Sequence, residues 1–254
     1  MRRAFGRTKA GLGLAHAVSL VPRWWMAGPR WRHRKRHQFR FLKRIAHSFA
    51  RPIELVGTPS AEPGTLFVCN HISWLDIPVL GAALQTEFVA KDDIRGWPGI
   101  GALARRTDTL FVSRTAKGSV GEQISQIADR LSGGGKLLLF AEGTTSDGVG
   151  VLPFRSSLFA AAHAARRIQP VVISYHARDG APLDAGALRK VAWIGDDELV
   201  PSVATVARMR VSVRVTLLDP FTPEEGASRQ ALAARCQQAI TDAYAALRTE
   251  NRSA

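Results

Sequence analysis

Acidic residues are missing from the first fifty-three positions of this chain. Fourteen Lys and Arg residues lie between Met1 and Ile53 without a single Asp or Glu, and the remaining 21 basic residues are balanced by 21 acidic ones. The formal net charge of +14 is therefore an N-terminal property carried by an otherwise neutral body. That asymmetry points to an anionic partner met by one region: a membrane surface, a nucleic acid or an acidic carrier protein. Cysteine is scarce as well. Cys69 and Cys236 are too far apart to suggest a disulfide framework, and neither has metal-ligand spacing, which fits a reducing compartment. Cys69, at the end of an apolar run, reads as a small buried residue and not as a nucleophile. Long apolar runs are absent. The best, Ala10 to Pro22, spans 13 residues and contains His16 and Ser19, against the ~20 needed to cross a bilayer. No small-x-small cleavage site follows it, so it is a poor signal peptide. There is no Gly-x-Ser-x-Gly elbow. Gly133-Gly134-Gly135 ends a helix and starts a strand, which is the wrong context for a phosphate loop.

The remaining pattern is an alternation. Short apolar runs predict strands at 53–57, 65–69, 87–90, 109–112, 136–141, 168–174, 189–194 and 209–217, with Pro170 expected at its strand's start. Helical spacing predicts helices at 77–84, 97–105, 117–131, 155–166 and 227–248. The last carries Leu232, Cys236, Ile240, Tyr244 and Leu247 on a core-facing stripe. Together these argue an α/β fold, a mixed and largely parallel sheet flanked by helices. Ahead of it, residues 1–51 predict a basic amphipathic arm, with residues 52–254 as the α/β domain. A short apolar helix ends near Pro22, and Trp24, Trp25 and Trp31 suit the headgroup level of a membrane. Trp31 to Ala50 predicts a second helix with Phe41, Leu42, Ile45 and Phe49 on one face and Arg32, Arg36, Arg40, Lys43 and Arg44 mostly elsewhere. A basic amphipathic helix with tryptophans is the pattern of an interfacial membrane element; the plain alternative is a helix packed on the body with a solvated basic face.

Four stretches can carry chemistry. In Cys69-Asn70-His71-Ile72-Ser73-Trp74-Leu75-Asp76-Ile77-Pro78 a strand ends and a helix begins, so His71 and Asp76 face one crevice. A carboxylate on one imidazole nitrogen fixes the tautomer and leaves the other nitrogen free to take a proton. Phe140-Ala141-Glu142-Gly143-Thr144-Thr145-Ser146 is a second strand-to-loop transition. There Gly143 permits close backbone approach, and the amides and hydroxyls of Thr144, Thr145 and Ser146 could receive an anion. Arg114, just past the strand 109–112, suits bidentate contact with a phosphate or carboxylate. The fourth is the buried strand Pro170-Val171-Val172-Ile173.

In this order and spacing the four stretches resemble the blocks of the glycerophospholipid acyltransferase family, over roughly residues 54 to 175. The motif is most similar to that of bacterial 1-acyl-glycerol-3-phosphate and lyso-ornithine-lipid acyltransferases. Lys91, with Pro98 and Gly101, resembles the family's segment between the first two blocks, and Phe154-Arg155 the pair after the third. Asp108, Ser113, Ala141 and Ser157 depart from the family's pattern. Asp108 and Ser113 fall in the block associated with the acceptor's headgroup, which leaves the acceptor open.

The resemblance implies transfer of a fatty acyl chain from acyl-CoA or acyl carrier protein to the free hydroxyl of a lysophospholipid. The first expectation is 1-acyl-sn-glycerol-3-phosphate giving phosphatidic acid; the alternative is a lyso-ornithine lipid. It further implies His71 as general base, Asp76 as its orienting carboxylate, and Arg114 with Lys91 on the acceptor's anionic group. Glu142, Gly143 and Thr144 would shape the acceptor site. No metal or resident cofactor is expected. The expected partners are an anionic membrane surface and acyl carrier protein, and the expected location is the cytoplasmic face of the inner membrane, peripheral or monotopic. The competing classes are a basic nucleic-acid-binding protein and a thioesterase in which His71 activates water.

Overall fold

The computed structural model describes residues 31–91, 109–112 and 120–250. The N-terminal apolar helix, Trp24, Trp25, the expected helix over 97–105, Asp108, Ser113 and Arg114 lie outside those residues, as does the side chain of Lys91. In chain order the elements are α1 (Trp31–Phe49), β1 (Ala50–Val56), β2 (Thr65–Cys69), α2 (Asp76–Leu84), β3 (Glu87–Lys91), β4 (Leu110–Val112), α3 (Val120–Ser132) and β5 (Leu137–Phe140). Two 3-10 turns, Ser156–Phe159 and Ala162–Ala164, precede β6 (Arg167–His176). Then come α4 (Ala185–Val191), α5 (Leu199–Met209), β7 (Val211–Leu217) and α6 (Arg229–Glu250).

The strands form one sheet in the order β1-β7-β6-β2-β5-β3-β4. β2, β3, β4, β5 and β6 run in one direction; β7 is antiparallel to β6, and β1 is parallel to β7. The sheet is thus mixed and largely parallel, as the alternation of the sequence implies. β2 lies at its centre with all five residues buried, each large apolar side chain there contributing about 1.5–3 kcal/mol. Because the parallel strands share a direction, the chain leaves β2, β3, β4 and β5 at one edge, where α/β sheets collect ligands. Helices cover both faces. Tyr175 of β6 reaches Asp76 at the start of α2, while His176, the next residue along the strand, faces the other way, and α6 packs against β6.

Several expectations are corrected. Residues 189–194 are not a strand: Asp184 caps a helix there by accepting from the Ala187 amide at 2.7 Å, and that helix runs through Val191. The alanine-rich stretch 155–166 is not one helix, because non-helical backbone at Arg155 and Ala161 divides it into 3-10 turns that put Phe159 into the core. α5 was not expected; Pro201 falls in its first turn, where proline costs no helix bond. Pro170 sits three residues inside β6. Its carbonyl accepts from Leu218, just past the end of β7, and the reciprocal bond that proline cannot make is replaced by the Gln169 side-chain amide, which donates to the Leu218 carbonyl at 2.9 Å.

The largest correction concerns α1. Its apolar face is covered by the body: Phe41, Leu42, Ala46 and Phe49 are buried, and the Phe49 ring meets Trp74 edge-on at 5.0 Å. Gly81 of α2 makes room for it, since a Cβ there would stand 2.7 Å from Leu42 Cδ1. Lys35 and Arg130 both pair with the buried Glu87 carboxylate, the latter at 2.8 Å. The helix then enters β1 with no linker. Residues 31–51 therefore belong to the α/β body, and the apolar stripe assigned to a membrane is spent on folding.

Candidate active site

Three side chains, one from the end of β2 and two from the loop after β5, hold the loop after β2. Asn70, fully buried, pairs its amide with the backbone of Ile173: Nδ2 donates to the carbonyl at 3.0 Å and Oδ1 accepts from the N–H at 2.9 Å. Glu142, past β5, accepts the His71 amide at 2.7 Å and the Leu152 amide at 3.0 Å on its two carboxylate oxygens. Ser146 donates both its amide, at 2.8 Å, and its hydroxyl, at 3.1 Å, to the His71 carbonyl. The Ile72 carbonyl takes the Trp193 amide and the Ser73 hydroxyl donates to the Val191 carbonyl. Every backbone polar group from His71 to Ser73 has a partner, as burial demands.

Within that frame the structure brings His71 and Asp76 together. Nδ1 of His71 stands 2.7 Å from Oδ2 of Asp76. The same oxygen accepts from the Ile72 and Ser73 amides at 2.7 and 2.9 Å, and Oδ1 accepts from the Tyr175 hydroxyl at 2.5 Å. Asp76 is fully buried at the first turn of α2. A carboxylate receiving four donors is acceptor-only, so Nδ1 carries the imidazole proton and Nε2 keeps its lone pair. The ring lies on Phe140 with centroids 3.8 Å apart and an interplanar angle of 14°, which fixes its plane. Burial pushes the Tyr175 hydroxyl well above its ordinary pKa, and the Asp76 charge adds to the rise. Tyr175 therefore stays a donor to Asp76.

Tyr175 and Phe140 were not singled out from the sequence as site residues. The signal available for Tyr175 was scarcity, because the chain has two tyrosines and both end at this site. The Tyr244 hydroxyl donates to the Gly148 carbonyl at 2.5 Å. Other expected residues are placed differently. The Thr145 hydroxyl donates to the Trp193 carbonyl and Ser146 is committed to His71, so neither hydroxyl is offered to an anion. Thr144 is exposed, and Gly143 adopts φ 67°, the left-handed turn that only glycine enters freely.

Glu142 is a buried carboxyl whose pKa is pushed up to about 7. Burial is the main cause; the His71 and Leu152 amides oppose it, and the charges of Asp76 and Asp147 add to it. Its folded value lies above the ordinary 4.5, so between these two the native state keeps a proton that the unfolded chain has released. Stability therefore falls as pH rises from about 4.5 to 7, by about 3 kcal/mol when complete. Urea melts of wild type and Glu142→Gln between pH 5 and 8 should diverge by that amount, with the variant gaining at high pH. Parallel curves would show that Glu142 does not titrate in this range.

The matched family model is the acyltransferase model, over residues 48–174. The lyso-ornithine lipid O-acyltransferase of Brucella abortus (strain 2308) is 40% identical over 202 residues, 76% of each chain. The chain belongs to the acyltransferase family. It is an O-acyltransferase. The 1-acyl-sn-glycerol-3-phosphate acyltransferase of Neisseria gonorrhoeae is 33% identical over 128 residues, 49% of this chain and 50% of that one. In structure, the 1-acyl-sn-glycerophosphate acyltransferase PlsC of Thermotoga maritima superposes with a TM-score of 0.65 at 18% identity, covering 97% of this chain and 98% of that one. This acyltransferase has no helix among the described residues that is long and apolar enough to cross a membrane.

Proposed function

We propose that the protein acylates the free hydroxyl of a one-chain lipid, with His71 as the general base. The observation that carries this is the 2.7 Å contact between Nδ1 of His71 and a carboxylate already held by three other donors. It leaves Nε2 as the base at the carboxyl edge of the sheet. The acceptor hydroxyl gives its proton to Nε2 as its oxygen attacks the thioester carbonyl. Asp76 stabilises the imidazolium that results. The tetrahedral intermediate then collapses, the C–S bond breaks, and the leaving thiolate takes the proton back from Nε2. The products are an ester and a free thiol, and no step calls on a metal or resident cofactor. The substrate hydroxyl occupies the place that a protein nucleophile fills in serine hydrolases.

Glu142 contributes by holding the segments that carry His71 and Leu152, with Gly143 and Thr144 at the site's rim. Arg114 and Lys91 are assigned to the acceptor's anionic group. β3 and β4 end at the same edge as β2, and β4 stands three strand spacings from it, about 14 Å. The donor is acyl-CoA or acyl carrier protein, and the site works from the cytoplasmic face of the inner membrane.

Two acceptors have support. The relative that shares three quarters of its length with this chain acts, by its name, on lyso-ornithine lipid, and Asp108 and Ser113 depart from the family's usual residues in the block associated with the acceptor's headgroup. The relative that shares half acts, by its name, on 1-acyl-sn-glycerol-3-phosphate. Thiol release from an acyl thioester, measured with each acceptor and with none, separates them. Turnover with lyso-ornithine lipid at least tenfold above lysophosphatidic acid is the expected result. The reverse ratio identifies the phosphate acceptor, and release without acceptor would make the protein a thioesterase.

A further inference from the structure

The basic surface of this protein does not stop at its N-terminal segment. α1 enters β1 directly, and α5 enters β7 through Arg210 alone. β1 and β7 are parallel neighbours that start in register, Ala50 against Val211. The final turns of the two helices therefore converge on one corner of the sheet. Lys43, Arg44 and Arg51 arrive there from α1 and β1, and Arg208 and Arg210 from α5 and the turn after it; all five are exposed. Arg208 and Arg210 belong to the stretch whose overall charge is neutral, so composition by region hides the cluster.

Helix C-termini attract cations, and Arg51 serves that purpose by donating to the His47 carbonyl at 2.6 Å. The other four make no ion pair among the described residues. The nearest acid on β1, Glu54, is paired with Arg214 at 2.8 Å. Mutual repulsion of four such charges adds nothing to the fold.

This corner shares an edge with the active site. β1 starts on the side of the sheet toward which β2 runs, three strand spacings (about 14 Å) across from the His71 strand and further out along it. Ala50 is level with Val211, whereas Cys69 is level with Val171 and, through it, Leu217. α5 bridges the gap: Trp74, three residues after His71, donates its indole N–H to Ser202 at 3.1 Å. Three of the exposed large apolar side chains also lie along this edge. Val149 and Leu152 stand in the loop after Glu142, and Val200, 78% exposed, starts α5.

We propose that this edge lies on an anionic lipid surface, with Lys43, Arg44, Arg51, Arg208 and Arg210 on the lipid phosphates and Val149, Leu152 and Val200 entering the headgroup layer. The inference rests on the acyl transfer proposed above, because it presents the His71 crevice to the layer that holds the acceptor. A lipid surface is favoured over an acidic carrier protein by the apolar side chains beside the charges. Cations and apolar tips on one edge are what an interface offering both phosphate and hydrocarbon selects.

The test uses the full chain and two double variants, Arg44→Glu with Arg208→Glu, and Arg44→Lys with Arg208→Lys. Partition is measured by sedimentation with vesicles of phosphatidylethanolamine and phosphatidylglycerol, and with phosphatidylcholine alone. Charge reversal should lower partition onto the anionic vesicles at least about tenfold, an effect that shrinks with added salt. The lysine pair should match wild type. Turnover on a soluble short-chain acceptor should be equal in all three. Equal partition of the reversed pair and wild type overturns the docking edge. Unchanged partition with a raised KM for acyl carrier protein assigns the corner to that protein instead. A wild type that binds the vesicles but acylates no lyso-lipid refutes the proposed function and leaves the docking edge standing.

Discussion

His71→Ala is expected to lower acyl transfer by about 10²–10⁴-fold, at the upper end of that range, with the fold intact. The large kinetic effect follows from the position of Nε2, the nitrogen with a free lone pair at the carboxyl edge. The small structural effect follows from what remains after truncation. Asp76 keeps the Ile72 and Ser73 amides and the Tyr175 hydroxyl. The His71 backbone keeps Glu142 and Ser146. The vacated space is partly open, since the imidazole is 16% exposed, so no sealed cavity forms. Thiol release with the preferred acceptor reads the rate, and a thermal melt reads the fold. A rate within tenfold of wild type would remove His71 from the chemistry.

The parts of the site that were legible in sequence are those set by short-range pattern. β2 is a five-residue apolar run between turn signals, and Asp76 and Pro78 mark a helix start; together they put His71 and Asp76 in one crevice. The periodicity of α6 was equally plain, and Leu232, Cys236, Ile240 and Tyr244 are buried as their spacing implies. What escaped was decided by distant parts of the chain. The amphipathicity of α1 says that its apolar face is covered but not by what, and the cover is α2 and Trp74, not lipid. Glu142 looks like a loop carboxylate ready for a ligand; it turns inward because two amides, from residues 71 positions earlier and 10 later, need an acceptor. Tyr175 carries no local mark at all, since its role depends on β6 lying next to β2. The arginine corner is illegible for the same reason: Arg51 and Arg210 become neighbours only through the pairing of β1 with β7.

Asp76→Asn should cost nearly as much activity as the loss of His71, about 10³–10⁴-fold, while melting close to wild type; the corresponding change in the serine-protease triad, a worked example of the same chemistry, costs about 10⁴. The asparagine carbonyl can take the place of Oδ2 and accept from Nδ1 and the two amides. Its NH₂ then faces the Tyr175 oxygen, which has lone pairs to receive it once the hydroxyl turns. The geometry survives and the charge is lost, so the imidazolium formed during transfer has no counter-ion in a buried site, where electrostatic interactions are strongest. Asp76→Ala should behave differently. It leaves the Ile72 amide, the Ser73 amide and the Tyr175 hydroxyl buried without an acceptor, at about 1–3 kcal/mol each, and should lose stability along with activity. The contrast between the two variants separates the electrostatic role of Asp76 from its role in holding the loop. If Asp76→Asn kept a rate within tenfold of wild type, the carboxylate would be a structural anchor and His71 would work without its charge.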